Sequence, residues 1–182
     1  MATGWLGPMR SKILMGGLSI LLFFALALGS SQLARGQSNP VASATIRVTG
    51  QVEHRLVLSD AQLQTLPRRR LVVTDEKGAP ATYDGVPVFE ILRRAGVPLG
   101  AQLRGPKMRL YVVVEASDGY AAVFALPELD PDFTARVVLL ADRHDGHIIP
   151  SPEGPFRLVI PDEKRHARWV REVIALDVQE AK

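Results

Sequence analysis

Residues 109–125, RLYVVVEASDGYAAVFA, read as one strand, a turn and a returning strand. Arg109 to Glu115 is dense in β-branched and aromatic residues, Asp118-Gly119 is a tight-turn dipeptide, and Tyr120 to Ala125 alternates back. Outward from this hairpin toward the C-terminus, Ala135 to Ala141 (ARVVLLA) is a near-continuous apolar run, as expected of a strand covered on both faces. Asp145-Gly146 signals another hairpin, and Phe156 to Ile160 and Trp169 to Val178 read as further strands. Pro127 to Leu129 reads as a helical turn. Toward the N-terminus, Ile46, Val48 and Val52 alternate with polar residues, and Leu71-Val72-Val73 is a short β-branched run followed by a Lys77-Gly78 turn. Ser59 caps a short helix carrying Asp60, Ala61, Leu63 and Leu66, stopped at Pro67. Tyr83-Asp84-Gly85-Val86 reads as a bend. Pro87 opens a helix with Val88, Ile91, Leu92 and Ala95 on one face, and Gly96 stops it. No internal repeat is visible. The sum is one α+β domain over residues 45–182, mainly β in mixed sheet with a few short helices.

The N-terminal segment has a different character. Arg10 and Lys12 precede an uncharged run, Ile13 to Leu28, and then Gly29-Ser30-Ser31. A short basic region, an apolar stretch and small residues form the pattern of a secretory signal peptide. Residues 1–34 are therefore expected to be a signal peptide, and residues 35–44, polar and small, a linker. The alternative is an uncleaved N-terminal anchor, the one route by which the chain would meet a membrane; the apolar run is slightly short for a bilayer span. Either way the body is expected to be exported, periplasmic or secreted. With Arg10 and Lys12 set aside, the 22 Lys and Arg fall to 20 against 19 Asp and Glu. A near-neutral body does not point to nucleic acid. The chain has no Cys, which excludes disulfides, thiolate zinc sites, iron–sulfur ligation, covalent haem attachment and a lipoprotein anchor.

Four stretches together resemble the molybdopterin-binding domain of the sulfite oxidase family. They are IRVTGQV (46–52) with LSDAQLQTLP (58–67), YDGVPVFEILRRAG (83–96), SDGYAAVFALPEL (117–129) with VVLLADRHDG (137–146), and GPFRLVIP (154–161) with RWV (168–170). Their order covers nearly the whole exported body. The resemblance implies a mixed, strand-rich α+β fold and a molybdopterin cofactor, a pterin dithiolene whose molybdenum takes one Cys thiolate. That Cys follows the strand matching Leu71-Val72-Val73. Here Thr74 and Asp75 stand there, with Asp75 nearest the Cys position. A carboxylate is a hard ligand and does not reproduce a soft thiolate, so no metal ligand is assigned. By the same resemblance Arg157 and Arg168, the latter before Trp169, match cations that hold the pterin's phosphate side, for which a planar fork of donors suits. Glu153 stands roughly where the family has a His. The body begins almost at the first strand, so the family's upstream basic stretch is expected to be missing.

Other candidates carry two readings each. Lys164, Arg165, His166, Arg168 and Arg171 cluster around Trp169; they could hold a pterin phosphate or another anion, or form a solvated face balanced by Asp162, Glu163 and Glu172. Arg157 and Arg168 could instead be structural ion pairs, with Glu153 or Asp162 as partners. Arg68-Arg69-Arg70 reads as an anion patch or an edge-strand guard. Tyr120 could line a pocket or belong to the core. His144 and His147 flank a hairpin turn, a spacing that does not argue for a metal. No nucleotide, hydrolase or zincin motif occurs. Catalytic residues cannot be named; Arg157, Arg168, Lys164, Asp75 and Tyr120 are the candidate cofactor-binding set. Three functions remain: an exported domain that binds molybdopterin without a thiolate, a degenerate member that keeps the shell to bind a small anion or a periplasmic protein partner, and a redox accessory.

Overall fold

A computed structural model describes residues 44–182 apart from Glu76. The expected signal peptide and the linker up to residue 43 lie outside the described residues. Among the described residues ten strands form two sheets, joined by two short α-helices and several 3₁₀ turns. β1 (Thr45–Gly50), β2 (Leu56–Ser59), β5 (Leu110–Ala116), β6 (Ala121–Ala125) and β10 (Val173–Glu180) build the first, in the order β2-β1-β10-β5-β6. Only β1 and β10 in it run parallel. β3 (Arg69–Thr74), β4 (Pro80–Pro87), β7 (Leu139–His144) and β8 (His147–Ile148) build the second in that order, with β9 (Arg157–Val159) also paired to β7.

Period-two burial explains why these segments are strands. On β5 Leu110, Val112, Val114 and Ala116 are buried and the residues between them are not; on β6 Ala122 and Phe124 are. A strand with one apolar face must bury it, and the two sheets share a single core that includes Phe124, Phe156, Leu140 and Leu158. β7 is buried at four successive residues, Leu139 to Asp142, matching the expected two-sided cover.

The helices follow their local signals. α1 (Asp60–Leu63) begins with a capping box: the Gln62 amide N–H donates to Ser59 Oγ, and Gln62 Oε1 accepts from the Ser59 N–H. α2 (Val88–Arg94) ends in a Schellman motif. Val97 N–H donates to Leu92 C=O and Gly96 N–H to Arg93 C=O, with Gly96 at a φ of 74° that a side chain would disfavour.

Four boundaries differ from the sequence reading. Tyr83 to Val86 is not a bend but the middle of β4, with a bulge between Asp84 and Gly85. β2 had no strong signal because only Leu58 of its four residues is buried. Residues 135–138 stay outside the ladder, Val138 C=O accepting instead from the Val88 N–H. β10 starts at Val173 rather than Trp169, because a 3₁₀ turn over His166–Arg168 and a positive φ at Glu172 precede it.

Arg68 is neither anion patch nor guard. It donates to both carboxylate oxygens of Asp142, at 2.9 and 2.6 Å, and Gln64 Nε2 adds a third bond at 2.7 Å. Asp142 lies on β7 and is buried, so the trio clasps the α1–β3 connection to the centre of the second sheet. Replacing one partner strands the other. Asp142→Ala should cost about 2 kcal/mol, below the fully buried range because Arg68 keeps some water contact, read as a lower denaturant midpoint.

Candidate functional site

The C-terminal end of β3 and the loop after β9 face each other across an open cleft of about 770 Å³. Val72 to Asp75 form one wall, and Pro161 to His166 with Trp169 the other. The loop is short of regular structure because Pro161 ends β9's run and Asp162 sits at a positive φ of 65°.

Trp169 is the anchor of this wall. It is buried, and its Nε1–H donates to Ile160 C=O at 3.0 Å. The His166 ring stacks on it at 3.9 Å between centroids. Tyr83 meets it edge-on at 6.0 Å, and His144 stacks on the far face of the chain of rings, 4.5 Å from Tyr83. Burial holds the Tyr83 phenol above its usual pKa. The Arg157 guanidinium lies 5.6 Å from the Trp169 ring and pairs with Glu153. Offset and edge geometries of this kind add to plain area burial.

Arg157 is buried and lies outside the cleft's lining, and the other four candidates separate into three groups. Asp75 and Lys164 line the cleft together, joined by Arg165 and His166. Tyr120 is half exposed rather than core; its OH donates to Ala167 C=O at 2.6 Å, and it borders a smaller pocket of about 260 Å³ that shares His166 and Trp169 with the cleft. Arg168 lines neither. It donates to Glu163 Oε1 through Nε at 2.8 Å and to Glu128 at 2.9 Å, and it lies 4.7 Å from the Phe124 ring. Burial works against its charge, but the bonds to Glu128 and Glu163 outweigh that and leave its pKa above the usual value. Arg168 thus ties the cleft loop to the turn after β6. Arg168→Ala should loosen that loop at about 1 kcal/mol of stability, the scale of partly exposed charge pairs, while Arg168→Lys keeps one of the two links. Amide exchange of residues 162–166 reads the difference.

Asp75 is engaged too. Its Oδ1 accepts from the Ala79 N–H at 2.8 Å and the Lys77 N–H at 2.9 Å, closing the turn between β3 and β4. The Ala79 bond is the main reason its pKa lies below the usual aspartate value. A depressed folded pKa means the bond's contribution is present above the unfolded value and is lost as pH falls through the folded one. A carbon-detected titration should place the Asp75 midpoint below that of Asp in a peptide, and Asp75→Asn should shrink the acid loss of stability.

The sequence profile of the oxidoreductase molybdopterin binding domain matches residues 36–182. The chain belongs to that family. Among solved structures, this chain is similar in fold to the sulfane dehydrogenase SoxCD from Paracoccus pantotrophus, with a TM-score of 0.60 and 22% identity. The match covers 76% of this chain and 38% of that one. No curated relative matches the chain. The α+β fold expected from the four stretches is therefore the fold observed.

The family's cofactor makes two demands, a soft ligand for its metal and cations for its phosphate. The first is not met. The chain holds no thiolate, and Asp75, the residue nearest the corresponding position, is a hard carboxylate already bonded to two amides. No group of three or more His, Asp or Glu side chains suited to a metal occurs among the described residues. The second is met in part: Lys164 and Arg165 are exposed on the cleft, and neither enters an ion pair among the described residues.

Proposed function

We propose that this chain is an exported member of the family that has lost thiolate-ligated molybdenum chemistry and keeps the fold as a binding module in the cell envelope or outside it. The observation that carries the reading is Asp75: the strand-end position matching the family's Cys holds a carboxylate committed to the Ala79 and Lys77 amides. Replacing thiolate by carboxylate changes the electronic character of a metal site and not merely its strength. Export rests on the basic, apolar and small-residue pattern of residues 1–34. Under this reading Lys164 and Arg165, beside the Trp169–His166 stack, serve a small anion or a protein partner.

The test is the molybdenum and pterin content of the protein expressed with its own N-terminal segment in a host that makes molybdopterin and exports folded protein. The expected result is a folded, exported protein with neither metal nor pterin in stoichiometric amount. One equivalent of both would overturn the proposal and make the cleft a molybdenum site without thiolate. Pterin without molybdenum would favour a carrier role, with Lys164 as the contact to remove next. Retention in the cytoplasm would overturn the export half alone.

A further inference from the structure

The wall of the cleft made by β3 is also an open sheet edge. β3 is the first strand in its sheet, and among the described residues nothing pairs with it on the side away from β4. The direction of its main-chain groups follows from its neighbour. Thr82 lies opposite Val72. Its N–H donates to Asp145 Oδ1 at 2.9 Å and its C=O accepts from the Asp145 N–H at 2.8 Å, so both point away from β3. In an antiparallel ladder the residue opposite such a one also points away. The Val72 N–H and C=O therefore face the open edge. Arg70 and Thr74 share that orientation by the two-residue period; consistently, Thr74 is opposite Pro80, which has no N–H to offer.

Side chains along this edge favour a partner of particular character. Val72 is 70% exposed, the most exposed of the large hydrophobic side chains among the described residues. Lys164 and Arg165 line the cleft beside it, and Arg69 stands exposed on the strand itself. None of these three cations enters an ion pair among the described residues. Of the carboxylates that the described residues place on the cleft, Glu163 is paired with Arg168, while Asp75, bonded to two amides, and Asp162 keep their charge. An edge of free amides and carbonyls, with three exposed cations outside any ion pair against the two carboxylates Asp75 and Asp162 among the described residues, suits a strand that brings acidic side chains.

We propose that the free edge of β3, with the cleft beside it, takes an extended acidic peptide segment of a partner protein as an added strand. The added strand bonds to the main chain of Arg70, Val72 and Thr74, lays a β-branched residue over Val72 and turns acidic residues to Lys164 and Arg165. This rests on the reading that the family's cofactor does not fill the cleft.

The exported protein, assayed for pterin in the same sample, should be panned against a random-peptide display library, and the enriched peptides synthesised. The expected sequences combine Asp or Glu with Val, Ile or Thr in alternation. Their binding should slow amide exchange at Arg70, Val72 and Thr74 and leave Leu71 and Val73, already bonded to β4, unchanged. Val72→Pro removes the central donor, and Val72→Glu adds a like charge without touching the core; each should weaken binding at least about tenfold. Val72→Thr should bind within a few-fold of the parent. Should Val72→Pro disturb the sheet, the exposed Val72→Glu change and the exchange pattern carry the test. No enrichment, enrichment of peptides that protect other amides, or a concentration-dependent dimer covering these same amides would each overturn the assignment. Failure in pterin-free protein sinks this inference alone, whereas a pterin-filled cleft sinks it together with the functional reading above.

Discussion

Gly85→Ala should leave the domain unfolded or melting at least about 10 °C lower, because a clash of this kind removes about 3 kcal/mol or more from a total stability of roughly 5–15. Gly85 sits at the bulge of β4, where that strand crosses the centre of the second sheet. A Cβ there would fall 2.6 Å from Ala141 Cα and inside contact distance of the Leu140 carbonyl oxygen. Both are backbone atoms of β7, which is bonded to β4 on one side and to β8 and β9 on the other, so they cannot retreat without breaking a ladder. Gly78→Ala is the control. Gly78, unlike Gly85, has a positive φ, 81°, and nothing lies within 4 Å of its built Cβ. That change carries conformational strain of about 1–2 kcal/mol and no clash. Thermal melts of the two variants separate the effects; equal melting temperatures would show that β7 yields and that the close approach is not what fixes this glycine.

Gly85 also shows where the sequence misleads. Asp84-Gly85 has the composition of a turn, and its real reason, the close passage of β7, lies more than fifty residues away in the chain. Signals that act locally were legible. The β5–β6 hairpin, the Ser59 cap and the Gly96 stop depend on neighbours within a few positions, and all three stand where the residues placed them. The site was legible to a lesser degree for the same reason. The resemblance brought Asp75 and the basic cluster together, and the cleft holds both. It could not show that Arg168 is turned to Glu128, forty residues back, or that Arg68 serves Asp142. An arginine carries the same charge whether it waits for a ligand or is already matched. Only the partner's position decides, and that is a property of the fold. The open edge of β3 was legible in part: a run of Arg, Leu, Val and Thr does announce a strand, but not which side of it is left uncovered.

Trp169→Ala should cost about 3–5 kcal/mol, the range for truncating a buried tryptophan, and should remove ligand binding in the cleft before it removes the fold. Trp169 fills the space between Tyr83 and the His166 ring, and its loss leaves His166 and the 162–166 loop without the surface they rest on. Trp169→Phe separates the two contributions. Phenylalanine keeps most of the apolar fill and loses the indole N–H, so the Ile160 carbonyl goes unmatched at a cost of about 1–2 kcal/mol. The order expected in a denaturant titration is parent, then Phe, then Ala, with the larger step at Ala. If Phe and Ala were equally damaging, the hydrogen bond to Ile160 and not the packing would be what holds the wall. The chain has two tryptophans, Trp5 and Trp169, and Trp5 falls in the segment expected to be removed on export. In a protein beginning near Arg35, intrinsic fluorescence therefore reports Trp169 alone, and with it the cleft. Any ligand seated between β3 and the loop must change the surroundings of His166 and of the indole it stacks on. A change of emission on adding an acidic strand-forming peptide, absent in Val72→Glu, would link the free edge to this wall. Emission unmoved by a peptide that binds would place that peptide elsewhere on the molecule.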